Sequence, residues 1–167
     1  MNLKTKRAIS ASLMIVAASL ALTAPAHAAT EIKVSSGPIS GGNSMSATGT
    51  PAPDVFQFDG SSGGAVTVSS TSTGVVAGTG CVQVNPFAAR CFGIVLIEAF
   101  GGSGKDTITN NTNARMGVNG GSDNDTLVGG SFRDTLNGGV GNDFANGRGG
   151  FDTCSVESFT SCEEITS

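Results

Sequence analysis

Cut at its glycine pairs, the stretch 101–155 reads GGSGKDTIT, a single Asn110, NTNARMGVN, GGSDNDTLV, GGSFRDTLN, GGVGNDFAN and GRGGFDTCS. A nine-residue period is held six times, with Asn110 inserted after the first unit. Self-similarity at a short fixed period marks a stacked architecture, in which no unit buries a core alone. Each unit divides into a six-residue glycine-rich loop and a three-residue strand. So short a strand is stable only when paired with copies of itself. The middle residue of each strand is expected to point inward, giving a column of Ile108, Val118, Leu127, Leu136, Ala145 and Cys154 that narrows toward the C-terminus.

Outward from the repeats, the 167-residue chain begins with a different composition. Lys4, Lys6 and Arg7 precede an apolar run from Leu13 to Leu22 and then Ala26-His27-Ala28. A basic head, a short apolar middle and an A-x-A site predict a secretory signal peptide over 1–28, cut after Ala28. The run is short of the roughly 20 residues that a membrane span needs. Three of the nine basic residues and none of the thirteen acids lie in that segment, leaving six against thirteen, a net of −7. That balance excludes a basic nucleic-acid surface and suits cations. Four cysteines, Cys81, Cys91, Cys154 and Cys162, follow the signal. In an exported chain they read as two disulfides. Of the three connectivities, Cys81–Cys91 with Cys154–Cys162 is expected, since each pair closes a short local loop. A zinc site is excluded by spacing.

Residues 29–53 are rich in Gly, Ser, Thr and Pro and read as a flexible leader, with a hint of a strand at Ile32 and Val34. Residues 54–100 read as a β-strand cap region. Val55–Phe58, Ala65–Ser70, Cys81–Val84 and Gly93–Phe100 are its candidate strands, with turns at GSSGG and Asn85-Pro86. The last of these runs directly into the first glycine-rich loop and is expected to cap the open end of the stack. Residues 156–167 form a C-terminal cap or tail. Phe151, Phe159 and the Cys154–Cys162 bridge close it, while EEITS carries no readable signal.

The loops carry the chemistry. Glycine permits backbone angles that a β-carbon forbids, so carbonyl oxygens can turn toward one point, and the aspartate at position six adds a carboxylate. Hard oxygen donors, several of them neutral, suit Ca2+, which takes about 6–8 oxygens in flexible geometry, better than the tight octahedron of magnesium. The candidate ligands are Asp106, Asp125, Asp134, Asp143 and Asp152, with backbone carbonyls near Gly102, Gly104, Gly121, Asp123, Gly130, Gly139 and Gly141. An aspartate in a glycine-rich loop can merely cap a turn. Five at one register favour metal.

GGSGKDTIT (101–109) fits every fixed position of G-G-x-G-x-D-x-U-x, and residues 101–155 resemble the RTX, or hemolysin-type, calcium-binding repeats. The upstream strands, the two-cysteine loop and the DTC…CE ending also resemble small secreted actinobacterial proteins that carry such repeats. The resemblance implies an all-β fold: a C-terminal parallel β-roll (a β-solenoid) of about six nonapeptides, capped by an N-terminal small β region. It further implies that successive loops alternate sides, with each ion between a loop and the loop two units later. One side would stack Asp106, Asp125 and Asp143, and the other Met116, Asp134 and Asp152. NTNARMGVN has lost its glycines and its aspartate, so no full site is expected between Met116 and Asp134. Asp123 and Phe132 replace glycine at position four, and Arg148 replaces the second glycine of the last unit. Three sites follow, Asp106/Asp125, Asp125/Asp143 and Asp134/Asp152, the last being the weakest.

No enzyme is expected. His27 is the single histidine and leaves with the signal, and the chain has no Trp or Tyr. Histidine-based triads and H-E-x-x-H sites are therefore excluded. Gly60–Gly64 matches G-x-S-x-G but reads as a plain turn, and Gly104-Lys105 lacks the rest of a phosphate loop. Glycosidase chemistry on Glu98 or Glu157 ranks far lower. The expected function is a secreted calcium-binding protein whose Ca2+-stabilised β-roll is structural, with calcium ions as partners and no membrane span. The alternative is an adhesion or matrix protein binding a cell surface or glycan through the strand faces, where Thr107, Thr126, Thr135 and Thr153 form a polar row.

Overall fold

The computed structural model describes residues 31–61 and 63–166, so the expected signal peptide lies outside the described residues. They form sixteen strands: β1 Glu31–Ile39, β2 Gly42–Thr48, β3 Val55–Ser61, β4 Ala65–Ser70, β5 Gly74–Ala77, β6 Cys81–Asn85, β7 Ala88–Cys91 and β8 Ile94–Ser103, then β9 Thr107–Asn111, β10 Arg115–Ser122, β11 Thr126–Val128, β12 Thr135–Val140, β13 Phe144–Asn146, β14 Thr153–Ser155, β15 Ser158–Thr160 and β16 Glu164–Ile165. There is no helix among the described residues.

Two eight-stranded sheets face each other, ordered β16-β14-β12-β10-β8-β2-β1-β5 and β15-β13-β11-β9-β3-β4-β7-β6. From β9 onward the chain alternates between them, so two nonapeptides complete one coil. Neighbours from β2 to β16 in the first sheet and from β3 to β15 in the second pair in parallel. This is the β-roll. The inward residues form two facing rows rather than one column. Ala47, Ala99, Val118, Leu136, Cys154 and Ile165 align in one sheet, and Phe56, Ile108, Leu127, Ala145 and Phe159 in the other.

Three expectations about the flanks are corrected. Residues 31–48 are not a flexible leader but β1 and β2, joined as an antiparallel hairpin. Their Ser, Thr and Gly content masks alternation, because Val34, Met45 and Ala47 are buried while the residues between them are not. Second, β8 does not cap an open end. It is an internal rung between β2 and β10. The cap is the antiparallel set β3–β4–β7–β6, fused to the roll through β3. Third, EEITS supplies a rung, since β16 pairs with β14. Both disulfides join the expected partners, Cys81–Cys91 between β6 and β7 and Cys154–Cys162 at the closing end.

Large side chains gather at the N-terminal end, where Phe56, Phe58, Met45, Ile97, Ile108 and Met116 are buried; the rows then taper to Leu127, Leu136 and Ala145. Leu127 sits between Ile108 and Ala145, which leaves little around it able to collapse into a void. Leu127→Ala is expected to lower the unfolding free energy by about 2–5 kcal/mol. Guanidinium denaturation at fixed, saturating calcium measures it, and a loss well below this range would show that the narrow end does not depend on side-chain packing.

Candidate metal centre

Parallel pairing brings position six of each loop directly over position six of the loop two units on. In the first stack the amide N–H of Asp106 donates to Oδ1 of Asp125 at 2.8 Å, and that of Asp125 to Oδ1 of Asp143 at 2.8 Å. In the second, Met116 N–H donates to Oδ1 of Asp134 at 2.6 Å and Asp134 N–H to Oδ1 of Asp152 at 2.8 Å. All five aspartates are buried. The two stacks hold the residues that the alternation of loops assigns to them.

Each ladder is longer than the repeats. Asp54 N–H donates to Oδ1 of Asp106, Asp143 N–H to Oε2 of Glu157, and Asp152 N–H to Oε2 of Glu163, each at 2.8 Å. These three acids were missed from sequence. A faint signal exists in the spacing. GTPAPDVFQ (49–57) keeps glycine at position one, aspartate at six and an apolar residue at eight. ESFT (157–160) and EEIT (163–166) repeat the acid–x–apolar–Thr order of DTIT (106–109). Glu157, weighed above as a glycosidase acid, is thus occupied by a backbone amide.

The second carboxylate oxygen separates these residues. Oδ2 of Asp106, Asp125, Asp143 and Asp152 is buried and has no hydrogen-bond partner. Oδ2 of Asp134 accepts Gly130 N–H at 2.6 Å. Asp54 has both oxygens occupied, by Thr50 N–H at 2.7 Å and by the Thr73 hydroxyl at 3.0 Å. Buried polar atoms are normally paired, so four orphaned carboxylate oxygens, three in the first stack and one in the second, fit a positive partner.

Glycine is required where the loops touch. A Cβ on Gly120 would collide with Oδ2 of Asp125 and, at 2.7 Å, with Gly138 O; one on Gly121, where φ is 115°, would collide with Gly102 O. Among the expected carbonyl donors, those of Gly102, Gly121 and Asp123 face the next loop of the first stack at Gly121, Gly139 and Gly141. The Gly130 carbonyl instead accepts Gly149 N–H at 3.2 Å. Asp123 adopts a left-handed φ of 78°, as the loop demands, and its Oδ2 accepts Gly104 N–H at 3.0 Å. Among the described residues no three His, Cys, Asp or Glu side chains converge on one point. A metal here must take most of its ligands from carbonyls, which favours calcium over softer ions.

The threonine row is two separate pairs. Thr107 aligns with Thr126 on the second sheet, and Thr135 with Thr153 on the first. Phe144 follows Thr126 in its row, which interrupts the polar ladder. Ser62, the central residue of the G-x-S-x-G match, lies outside the described residues. No helix among the described residues is long and apolar enough to cross a membrane.

Residues 119–154 match the family model of the RTX calcium-binding nonapeptide repeat, in four copies. That stretch of the chain is a calcium-binding repeat array, and its cofactor is Ca2+. No curated protein matches the chain. No solved structure matches it either. The unit 101–109 and the loop 49–54 lie outside the matched residues, yet join the same stack.

Burial pushes the Asp106 carboxyl up to about 7, helped by the charges of Asp125 and Asp54, and burial likewise pushes Asp134 up to about 6. Asp125 and Asp152 are raised for the same first reason. A carboxyl whose pKa is higher in the fold than in the unfolded chain stabilises most when protonated. Its contribution is lost as pH rises through the folded value. Calcium-depleted protein is therefore expected to lose thermal stability steadily between pH 4 and pH 7.5, and a rise over that interval would contradict the buried ladder. Gly120→Ala should abolish the calcium-dependent gain in melting temperature contributed by the first stack.

Proposed function

We propose that the protein is exported and that calcium, bound outside the cell, completes a structural β-roll that performs no catalysis. One observation carries this reading: the orphaned carboxylate oxygens of Asp106, Asp125 and Asp143 in one stack and Asp152 in the other. A hard divalent cation placed among them and the adjacent carbonyls supplies the missing partner and removes the repulsion between stacked carboxylates. The ligand sets are Asp106/Asp125, Asp125/Asp143 and Asp134/Asp152. The third is the weakest, because Asp134 and the Gly130 carbonyl are already hydrogen-bonded within the protein.

Extracellular calcium modules bind at about 10⁻⁴–10⁻³ M, so the roll would be loaded after export and empty before it. Two disulfides suit the same oxidising destination. The segment 1–28 has the composition of the signal that would take it there. Adhesion through the strand faces has weaker support, because each threonine row is only two residues long.

The test is calorimetric titration of the chain from Ala29 with calcium, followed in parallel by far-ultraviolet circular dichroism. About three ions are expected, with strand signal rising as they bind at near-millimolar concentrations. Asp125→Asn, which weakens two adjoining sites at once, should reduce the stoichiometry to about one while leaving the Asp134/Asp152 site. A wild-type stoichiometry of one or fewer would refute the assignment.

A further inference from the structure

The second stack begins differently from the first. Its position-six column runs Met45, Ile97, Met116 and only then Asp134 and Asp152, so its first three members are apolar and buried. The loop before Met116 therefore has no carboxylate of its own to hold a cation, yet the Ala114 carbonyl accepts a buried side-chain hydrogen bond and the Thr112 carbonyl faces Gly130 of the next loop. Two side chains bind the chain at and just before this loop. Asn110, the inserted residue, is fully buried. Its Nδ2 donates to Ala114 O at 3.1 Å, while its Oδ1 accepts the Thr112 N–H at 3.0 Å and the Thr112 hydroxyl at 2.7 Å.

The second is Arg148, two loops further along the same stack. Its Nη1 donates to Asn110 O at 3.0 Å and to Asn111 Oδ1 at 2.9 Å. Arg148 stands where a second glycine is the rule, at a left-handed φ of 64° that disfavours a residue with a β-carbon. Its N–H donates to Asn146 Oδ1 at 3.0 Å, which fixes the turn from which the guanidinium extends. A permanent cation thus lies on the Asn110 carbonyl, at the end of β9 where the first loop of this stack begins, held by a residue of the third loop. Elsewhere in the roll, joining loops through their carbonyls is the task assigned to the metal.

We propose that Asn110 and Arg148 replace calcium at the head of the second stack, so that the first loop of this stack, ahead of the Asp134/Asp152 site, closes without metal while the Asp106–Asp125–Asp143 edge closes only with it. The contrast between edges rests on the calcium reading; the contact itself does not. Both bonds leave the one nitrogen Nη1, and charge-assisted hydrogen bonds from a guanidinium are stronger than neutral ones.

Hydrogen exchange on the full exported chain tests it. After calcium depletion, amides of residues 112–116 are expected to stay protected while those of 102–106 and 121–125 exchange. Arg148→Gly should expose 112–116 as well and lower the melting temperature by several degrees, with and without calcium. Backbone strain alone predicts the opposite sign, because glycine accepts a positive φ without penalty. Arg148→Lys, which keeps the charge on a single nitrogen, should recover part of the loss. An Arg148→Gly protein that melts at or above the wild-type temperature would overturn the proposal. If wild-type exchange is indifferent to calcium at both edges, the calcium reading fails and the contrast with it. The Arg148→Gly melting shift would then still report on the contact alone.

Discussion

The roll depends on one repeated hydrogen bond, from the amide of a position-six residue to the carboxylate two units later. It fixes register, because a one-residue slip would send every carboxylate to the wrong face. It also fixes a problem of charge. Burial, with the charge of the stacked neighbour, disfavours ionisation of Asp106, Asp125 and Asp152, each of which is only half-partnered. The same bond that aligns the chain therefore creates the demand for a cation. Calcium binding is a consequence of how the backbone is held, as well as a property of particular side chains.

Such a ladder has a direction, and its ends need opposite treatments. At the N-terminal end an acceptor is left over, and donors fill it: Thr73 and the Thr50 amide satisfy Asp54. At the C-terminal end a donor is left over, and Glu157 and Glu163 accept from Asp143 and Asp152. The closing residues are glutamates where the repeats use aspartate. Only Val156 separates Ser155 from Glu157, so no full loop precedes this acid, and its Oε2 still reaches the Asp143 amide. The Cys154–Cys162 bridge then ties the last buried residue of the first row to the segment that carries Glu163. Stability at this end comes from covalent and polar closure, since the hydrophobic rows have tapered to Ala145 and Cys154.

What the sequence revealed and what it hid follow from the same physics. The period made the loops, their alternation and the five aspartates legible, because each unit repeats its constraint and one copy checks another. Single-copy features had no such check. Val34, Met45 and Ala47 alternate properly but lie among Ser, Gly and Thr, whose composition suggested a leader. Asp54 sits among prolines, in a loop that keeps the spacing of a repeat and none of its inner glycines. Asn110 looked like an insertion and is a buried structural amide. Met116 looked like a decayed metal position, although it continues the apolar column begun by Met45 and Ile97.

That last point changes how the degenerate unit is understood. The second stack passes from a hydrophobic column to an acidic one at Met116, and the first stack is acidic from Asp54 onward. Apolar burial needs no ion, so the end bearing Met45, Phe56, Phe58 and Ile97 can order itself and present β8 and β3 as templates. Parallel strands added to those templates bring carboxylates together one rung at a time. At Asp106 and Asp134 burial favours the protonated carboxyl, so a proton at low pH relieves there the charge that a cation would neutralise near pH 7. A unit that resembled a fully metal-binding one at this junction would make the template itself depend on calcium. In residues 111–119 the loop glycines and the aspartate of the repeat are absent, and Met116 extends the apolar column to this junction.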